Sequence, residues 1–115
     1  MRIAVFDYVP SMILHGVELP DDLDVVVFRD AGDPVASLHR MRPFPAAVYV
    51  AQPPGETRGY AVAAALRDAY PNLRVVGVRT ADAHKAGFEA VGADAVVDPP
   101  GMNKDIAGVK KARAS

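Results

Sequence analysis

Five short apolar runs punctuate the chain: Ile3 to Asp7, Val25 to Arg29, Ala47 to Val50, Val75 to Arg79 and Ala95 to Asp98. Within them the apolar residues are continuous rather than alternating, as in Ile3-Ala4-Val5-Phe6, Val25-Val26-Val27-Phe28 and Ala47-Val48-Tyr49-Val50. A strand covered on both faces reads this way, so the pattern predicts a parallel sheet between helical layers. The segments between the runs carry helical signals. Thr57 to Tyr70 is the clearest, with Thr57 as a candidate N-cap, Tyr60, Ala63, Ala64, Leu66 and Tyr70 on one face, and Pro71-Asn72 as the stop. Ala81 to Val91 is a second, with Asp82 near its start and Gly92 just past its end. Val35 to Met41 is a third, with Pro34 at a tolerated first position and Pro43 and Pro45 beyond.

Two helical expectations are weaker. Ser11 to Val17 leaves room for about two turns. Asn103 to Arg113 carries only Ile106, Val109 and Ala112 as an apolar set and contains Gly108. Pro53-Pro54-Gly55 and Pro99-Pro100-Gly101 read as loops. Strands alternating with helices, joined by right-handed crossovers, give a doubly wound α/β sandwich. The expected organisation is one domain over residues 1–113, with Ala114-Ser115 as a frayed tail.

Composition narrows the function classes. The chain has 115 residues, half of them hydrophobic, which suits a single core. Thirteen Lys and Arg against 14 Asp and Glu give a formal charge of -1, which offers no electrostatic case for nucleic acid or an anionic membrane. The small basic set Lys104, Lys110, Lys111 and Arg113 reads as a solvated helix face. No cysteine is present, so disulfides and thiolate-bound zinc are out. No apolar stretch approaches the roughly 20 residues of a membrane span. A cytoplasmic protein is the expectation.

Chemistry-bearing patterns are sparse. His15, His39 and His84 lie in different elements without ligand spacing, and Met12, Met41 and Met102 read as gap-filling core residues. No Gly-x-Gly-x-x-Gly follows the first strand, which disfavours a dinucleotide fold. The residues to watch sit where the strands end, because ligands of open α/β sheets bind there. These are Asp7, Tyr8, Gln52, Arg79, Thr80 and Asp98. Asp7 reads either as a weak metal ligand or as a cap for the segment after it. Thr80 reads as a ligand contact or an ordinary N-cap, and Asp98 as a loop carboxylate that could pair with Arg79.

Three stretches carry a family resemblance. They are Pro54-Gly55-Glu56-Thr57-Arg58-Gly59, then Val75 to Ala81, then Ala90-Val91-Gly92-Ala93-Asp94-Ala95-Val96-Val97-Asp98-Pro99. Their order and spacing resemble the receiver domain of bacterial response regulators over nearly the whole chain. The resemblance implies a flavodoxin-like, three-layer sandwich with a five-stranded parallel sheet in the order 2-1-3-4-5. It also implies a signalling role. The carry-over is partial. Asp7 matches one of two metal-holding acidic positions, and Tyr8 stands at the other. The phosphoacceptor position falls on Val50 or Ala51. Thr80 matches the hydroxyl position, Asp98 stands at the lysine position and Ala95 at the aromatic switch position.

Phosphoryl transfer to a carboxylate needs that carboxylate and a cation to offset the incoming charge. The expectation is therefore a pseudo-receiver: not an enzyme, with no cofactor and no resident metal, working by contact with an unidentified protein partner or as a homodimer. The resemblance implies a contact face including His84, Phe88, Val91, Val97, Ile106 and Val109. A small-ligand domain using the strand-end crevice is the alternative, and a fragment of a longer regulator is a third reading.

Overall fold

A computed structural model describes residues 1–8, 19–29, 32–53 and 56–114. Five parallel strands form one sheet in the order β2-β1-β3-β4-β5. They are β1 (Arg2–Phe6), β2 (Asp24–Phe28), β3 (Ala47–Ala51), β4 (Arg74–Val78) and β5 (Ala95–Val97). Register is set by pairs such as Val5 with Val27 and Tyr49, and Tyr49 with Val76. This is the expected flavodoxin-like order. β1, β2 and β4 sit one residue N-terminal of the apolar runs and β5 ends one residue early, so Asp7, Arg29, Arg79 and Asp98 lie just past their ends, while β3 runs on to Ala51.

Every residue of β3 is buried, as a central strand covered on both faces requires. Side chains leave it alternately toward two cores. Phe6, Val48, Val50 and Val75 pack with Leu38, Val62, Ala63, Leu66 and Phe88. These come from α1 (Pro34–His39), α2 (Arg58–Ala69) and α3 (Ala83–Ala90). On the opposite face Ile3, Val5, Tyr49, Val76 and Val78 meet Met102 and Ile106 of α4 (Met102–Ala114). The expected helix over Ser11 to Val17 lies outside the described residues.

Local chemistry explains where the helices begin and end. Asp33 caps α1 by accepting from the Ala36 N–H at 3.1 Å, and Pro34 fills the first helical position. That helix stops at His39, short of the expected Met41. Arg42 Nη1 donates to the carbonyls of His39 at 2.7 Å and Met41 at 2.8 Å, which satisfies the exposed end. α3 starts at Ala83 rather than Ala81, and Gly92 lies just past its end at φ +82°. Gly77 in β4 has no replacement, because a Cβ there would lie 2.3 Å from Cγ of Phe88. The ring therefore rests directly on the strand backbone. Pro99–Gly101, expected as loop, is a 3₁₀ turn leading into α4. α4 runs from Met102 to Ala114.

α4 has too few apolar residues to dock by burial alone. A polar lock supplies the rest. The buried Tyr49 hydroxyl donates to Asp105 Oδ2 at 2.6 Å, and Arg74 Nη2 donates to Asp105 Oδ1 at 2.5 Å. One carboxylate thus joins β3, β4 and α4. Burial, then the Asp105 carboxylate beside it, pushes the Tyr49 phenol far above its ordinary range. The hydrogen bond that Arg74 donates to Asp105 likewise raises the guanidinium.

A raised phenol makes stability sensitive to base. The contribution is complete below the unfolded tyrosine pKa of about 10 and is lost as pH rises above it, because only the unfolded chain then ionises at Tyr49. In urea titrations above about pH 10, Tyr49→Phe is expected to flatten the fall of stability by up to ~1.4 kcal/mol per pH unit. At neutral pH Asp105→Ala is expected to cost roughly 2–4 kcal/mol, more than Tyr49→Phe, since it leaves both partners of the carboxylate unmatched. Equal slopes for wild type and Tyr49→Phe would contradict the lock.

Candidate functional site

The C-terminal edge of the sheet gathers Asp7 and Tyr8 after β1, Gln52 after β3, Arg79 and Thr80 after β4, and Asp98 after β5. The structure sorts them into three small groups. Around β1, Asp7 is fully buried, its N–H donates to the Phe28 carbonyl at 3.0 Å, and its Oδ2 lies 3.8 Å from Arg29 Nη1. Tyr8 is buried too. Its ring stacks on Phe6 at 6.3 Å, and the Arg58 guanidinium lies over it at 5.1 Å. Arg29 and Arg58 belong to this group, and neither was among the residues singled out from the sequence. The signal for Arg29 was available, because the residue after β2 emerges at the same edge as Asp7.

At the centre, Val50 and Ala51 are fully buried and point to opposite cores. The polar group at this strand end is Gln52, which is 1% exposed. Its Nε2 donates to the carbonyl of Pro53 at 3.2 Å and to that of Glu56. Its Oε1 accepts from the Tyr60 N–H at 3.3 Å. Gln52 therefore caps α2 from outside the helix, while Thr57, the expected N-cap, holds the cap position without a side-chain cap bond. Gly59 allows the close approach this needs: a Cβ there would lie 2.5 Å from the Ala51 carbonyl and 2.6 Å from Gln52 Oε1.

Between β4 and β5, Arg79, Thr80, Asp82, Asp98 and Pro99 line a crevice of about 370 Å³. The expected Arg79–Asp98 pair does not form. Arg79 instead faces the exposed Asp82 at 3.9 Å, three residues on. Asp98 Oδ1 turns inward to accept from the Gly101 N–H at 2.8 Å, capping the 3₁₀ turn. A backbone N–H in a fixed turn competes well against a mobile arginine in water. Thr80 is not an N-cap either. Its own N–H donates to Nδ1 of the buried His84 at 3.2 Å, which holds the loop before α3.

The expected contact face divides in the same way. Phe88 and Ile106 are fully buried and belong to the two cores, and His84 is buried against the β4 loop. An apolar side chain inside the core cannot also meet a partner. Val91, Val97 and Val109 are partly exposed.

Around β1 and β3 the described residues offer a divalent ion one carboxylate, that of Asp7. Such ions take carboxylate and other oxygens, usually more than one acidic group. Asp7 brings one carboxylate already facing Arg29, Tyr8 brings a phenol, and Gln52 brings an amide engaged with the backbone. Among the described residues no three acidic, histidine or cysteine side chains converge, and no helix is long and apolar enough to cross a membrane.

With this geometry in view, the fold can be placed. No family model matches the chain, and no curated protein matches it. Solved structures do. A protein described as a response regulator/GGDEF domain protein matches with a TM-score of 0.73 at 19% identity, over 100% of this chain and 51% of that one. The chain therefore spans about half the length of that relative. The receiver domain of a DNA-binding response regulator from Colwellia psychrerythraea 34H gives 0.68 at 14% identity, over 96% and 98% of the two chains. The chemotaxis protein CheY4 of Vibrio cholerae gives 0.64 at 18% identity, over 94% and 96%. The fold is that of the response-regulator receiver domains.

Two outcomes follow from the strand-end geometry. Gln52→Glu swaps an amide that donates to two carbonyls for a carboxylate that repels them. It is expected to destabilise by roughly 1–3 kcal/mol at neutral pH and to recover part of that near pH 4, where the acid is protonated and can donate once. Urea titration at the two pH values measures it. A fully tolerated Glu would mean the amide donors are dispensable. Asp98→Ala is expected to cost about 1 kcal/mol through loss of the turn cap. Its effect is expected to add to that of Arg79→Ala, and a coupling above about 0.5 kcal/mol in a double-mutant cycle would restore the direct pair.

Proposed function

We propose that this receiver-like domain is a signalling module that works by protein contact, without an aspartyl-phosphate cycle. The observation that carries this reading is the end of β3. The resemblance puts the nucleophile of a phosphorylated receiver on Val50 or Ala51, neither of which can accept phosphate, and the first polar side chain after them, Gln52, has its carboxamide committed to three backbone groups. An amide is not a nucleophile for phosphoryl transfer. The neighbouring positions add to the case. Val50 and Ala51 are buried apolar side chains, and Asp98 contributes a negative charge where a phosphoryl group would require a positive one.

Protein contact is supported by the surface beside β5. There a groove of about 790 Å³ runs between β5 and α4, lined by Val97, Val109 and Gly108 with Arg79, Lys104 and Arg113 at its margins. Val97 and Val109 belong to the contact face that the family resemblance implies, so a partner or a second copy could seat on it. The small-ligand reading has a narrower basis, the crevice of about 370 Å³ between Arg79 and Asp98.

Incubation with acetyl phosphate and magnesium, followed by intact-mass analysis, tests the main reading. No base-labile phosphoryl adduct is expected. Millimolar magnesium is expected to leave the melting temperature unchanged within about a degree, because stabilisation tracks site occupancy. A stoichiometric adduct, or a magnesium shift of several degrees that disappears in Asp7→Ala, would overturn the proposal.

A further inference from the structure

Phe44 is the one large apolar side chain left exposed among the described residues, at 39%. It lies just before β3, at the N-terminal edge of the sheet and thus opposite the crevice. Its ring meets Tyr70 at 5.0 Å with the planes 59° apart. Tyr70 is fixed in turn by its hydroxyl, which donates to the Val35 carbonyl at 3.3 Å. Phe44 forms a ridge between two clefts. One of about 470 Å³ opens toward Tyr70 and Pro71. The other, of about 250 Å³, opens toward Arg2 and Asp24. Arg113 of α4 lines both.

The charges at this edge do not balance. Asp24 is taken by Arg2, with Nε to Oδ2 at 2.6 Å. Arg113 has no ion-pair partner among the described residues. The edge therefore offers an aromatic ridge with a mainly apolar cleft on the Tyr70 side, a charged cleft on the Arg2 side and one uncompensated guanidinium shared between them.

We propose that this edge docks an extended, acidic, proline-bearing segment of a partner protein. Such a segment is already ordered as polyproline II, so it loses little conformational entropy on binding, and aromatic-lined grooves take its side chains. An apolar residue and a proline would fill the cleft beside Tyr70, and a carboxylate would pair with Arg113 where the two clefts meet. The inference names a partner chemistry for the protein-contact reading and rests on that reading for its biological use.

A fluorescein-labelled peptide of repeated Glu-Pro-Pro-Leu, titrated with the whole chain and followed by anisotropy, tests the site. Saturable binding is expected, weakened at least ~10-fold by Arg113→Glu and by Phe44→Ala. A peptide with lysine in place of glutamate is expected not to bind. Arg113 is exposed, so Arg113→Glu keeps the test valid should Phe44→Ala disturb the loop, and melting curves check both. Absence of saturable binding to wild type, equal binding of the lysine peptide, or indifference to Arg113→Glu would each overturn the proposal. Self-association in sedimentation that Phe44→Ala abolishes would also overturn it, by assigning the edge to a second copy. The two readings fail separately. A phosphoryl adduct with peptide binding intact removes only the proposed function, and no peptide binding without an adduct removes only this docking site.

Discussion

The Asp105 carboxylate is the constraint on which the sandwich depends. It receives Tyr49 from the central strand and Arg74 from its neighbour, and so ties α4 to the sheet at a fixed rotation and height. With that rotation set, Met102 and Ile106 face inward and complete one core. Ion pairs that are partly buried, as this one is, are not strongly stabilising in themselves, because desolvation offsets much of the attraction. Their effect is on uniqueness: any slip of α4 would strand a carboxylate, a phenol and a guanidinium at once. A helix with Gly108 and few apolar residues has little else to define its seat. The same seat places Arg113 at the opposite edge of the sheet and Val109 beside β5, so both candidate contact surfaces inherit their geometry from this lock.

The sheet was legible in the sequence because burial on both faces leaves continuous apolar runs, and nothing else in a chain of this size imitates five of them. Its order followed from the family resemblance and the handedness of crossovers, and the pairing registers agree with it. Helix ends were less legible. Thr57 has the residue type of an N-cap, yet the bond to α2 comes from Gln52, five residues earlier and at the end of another element. A cap donated across a loop has no local spacing to reveal it. The Arg79–Asp98 pairing failed for a related reason. Residue type and strand position placed the two charges at one edge, but each had a nearer partner within its own turn, Asp82 for Arg79 and Gly101 for Asp98. The α4 lock was missed because Tyr49 reads as an apolar strand residue and Asp105 as a solvated helix residue. Their contact joins positions 56 residues apart.

The strand-end site can be understood as a problem in charge. A carboxylate after β3, close to the buried Asp7, would place two negative charges in a poorly solvated cleft and would call for a cation between them. Gln52 is neutral, and among the described residues around β1 and β3 the one carboxylate is that of Asp7, which Arg29 faces from the end of the next strand. The neutral amide then performs a mechanical task. It joins the carbonyls of Pro53 and Glu56 to the start of α2, and the bare Cα of Gly59 permits the close approach. On the proposed reading the crevice is thereby closed to phosphorylation chemistry by the same bonds that keep the fold in one state. The signal would then arise by occupancy of the outer surfaces, since a loop fastened from inside the sheet has no charge change to release it.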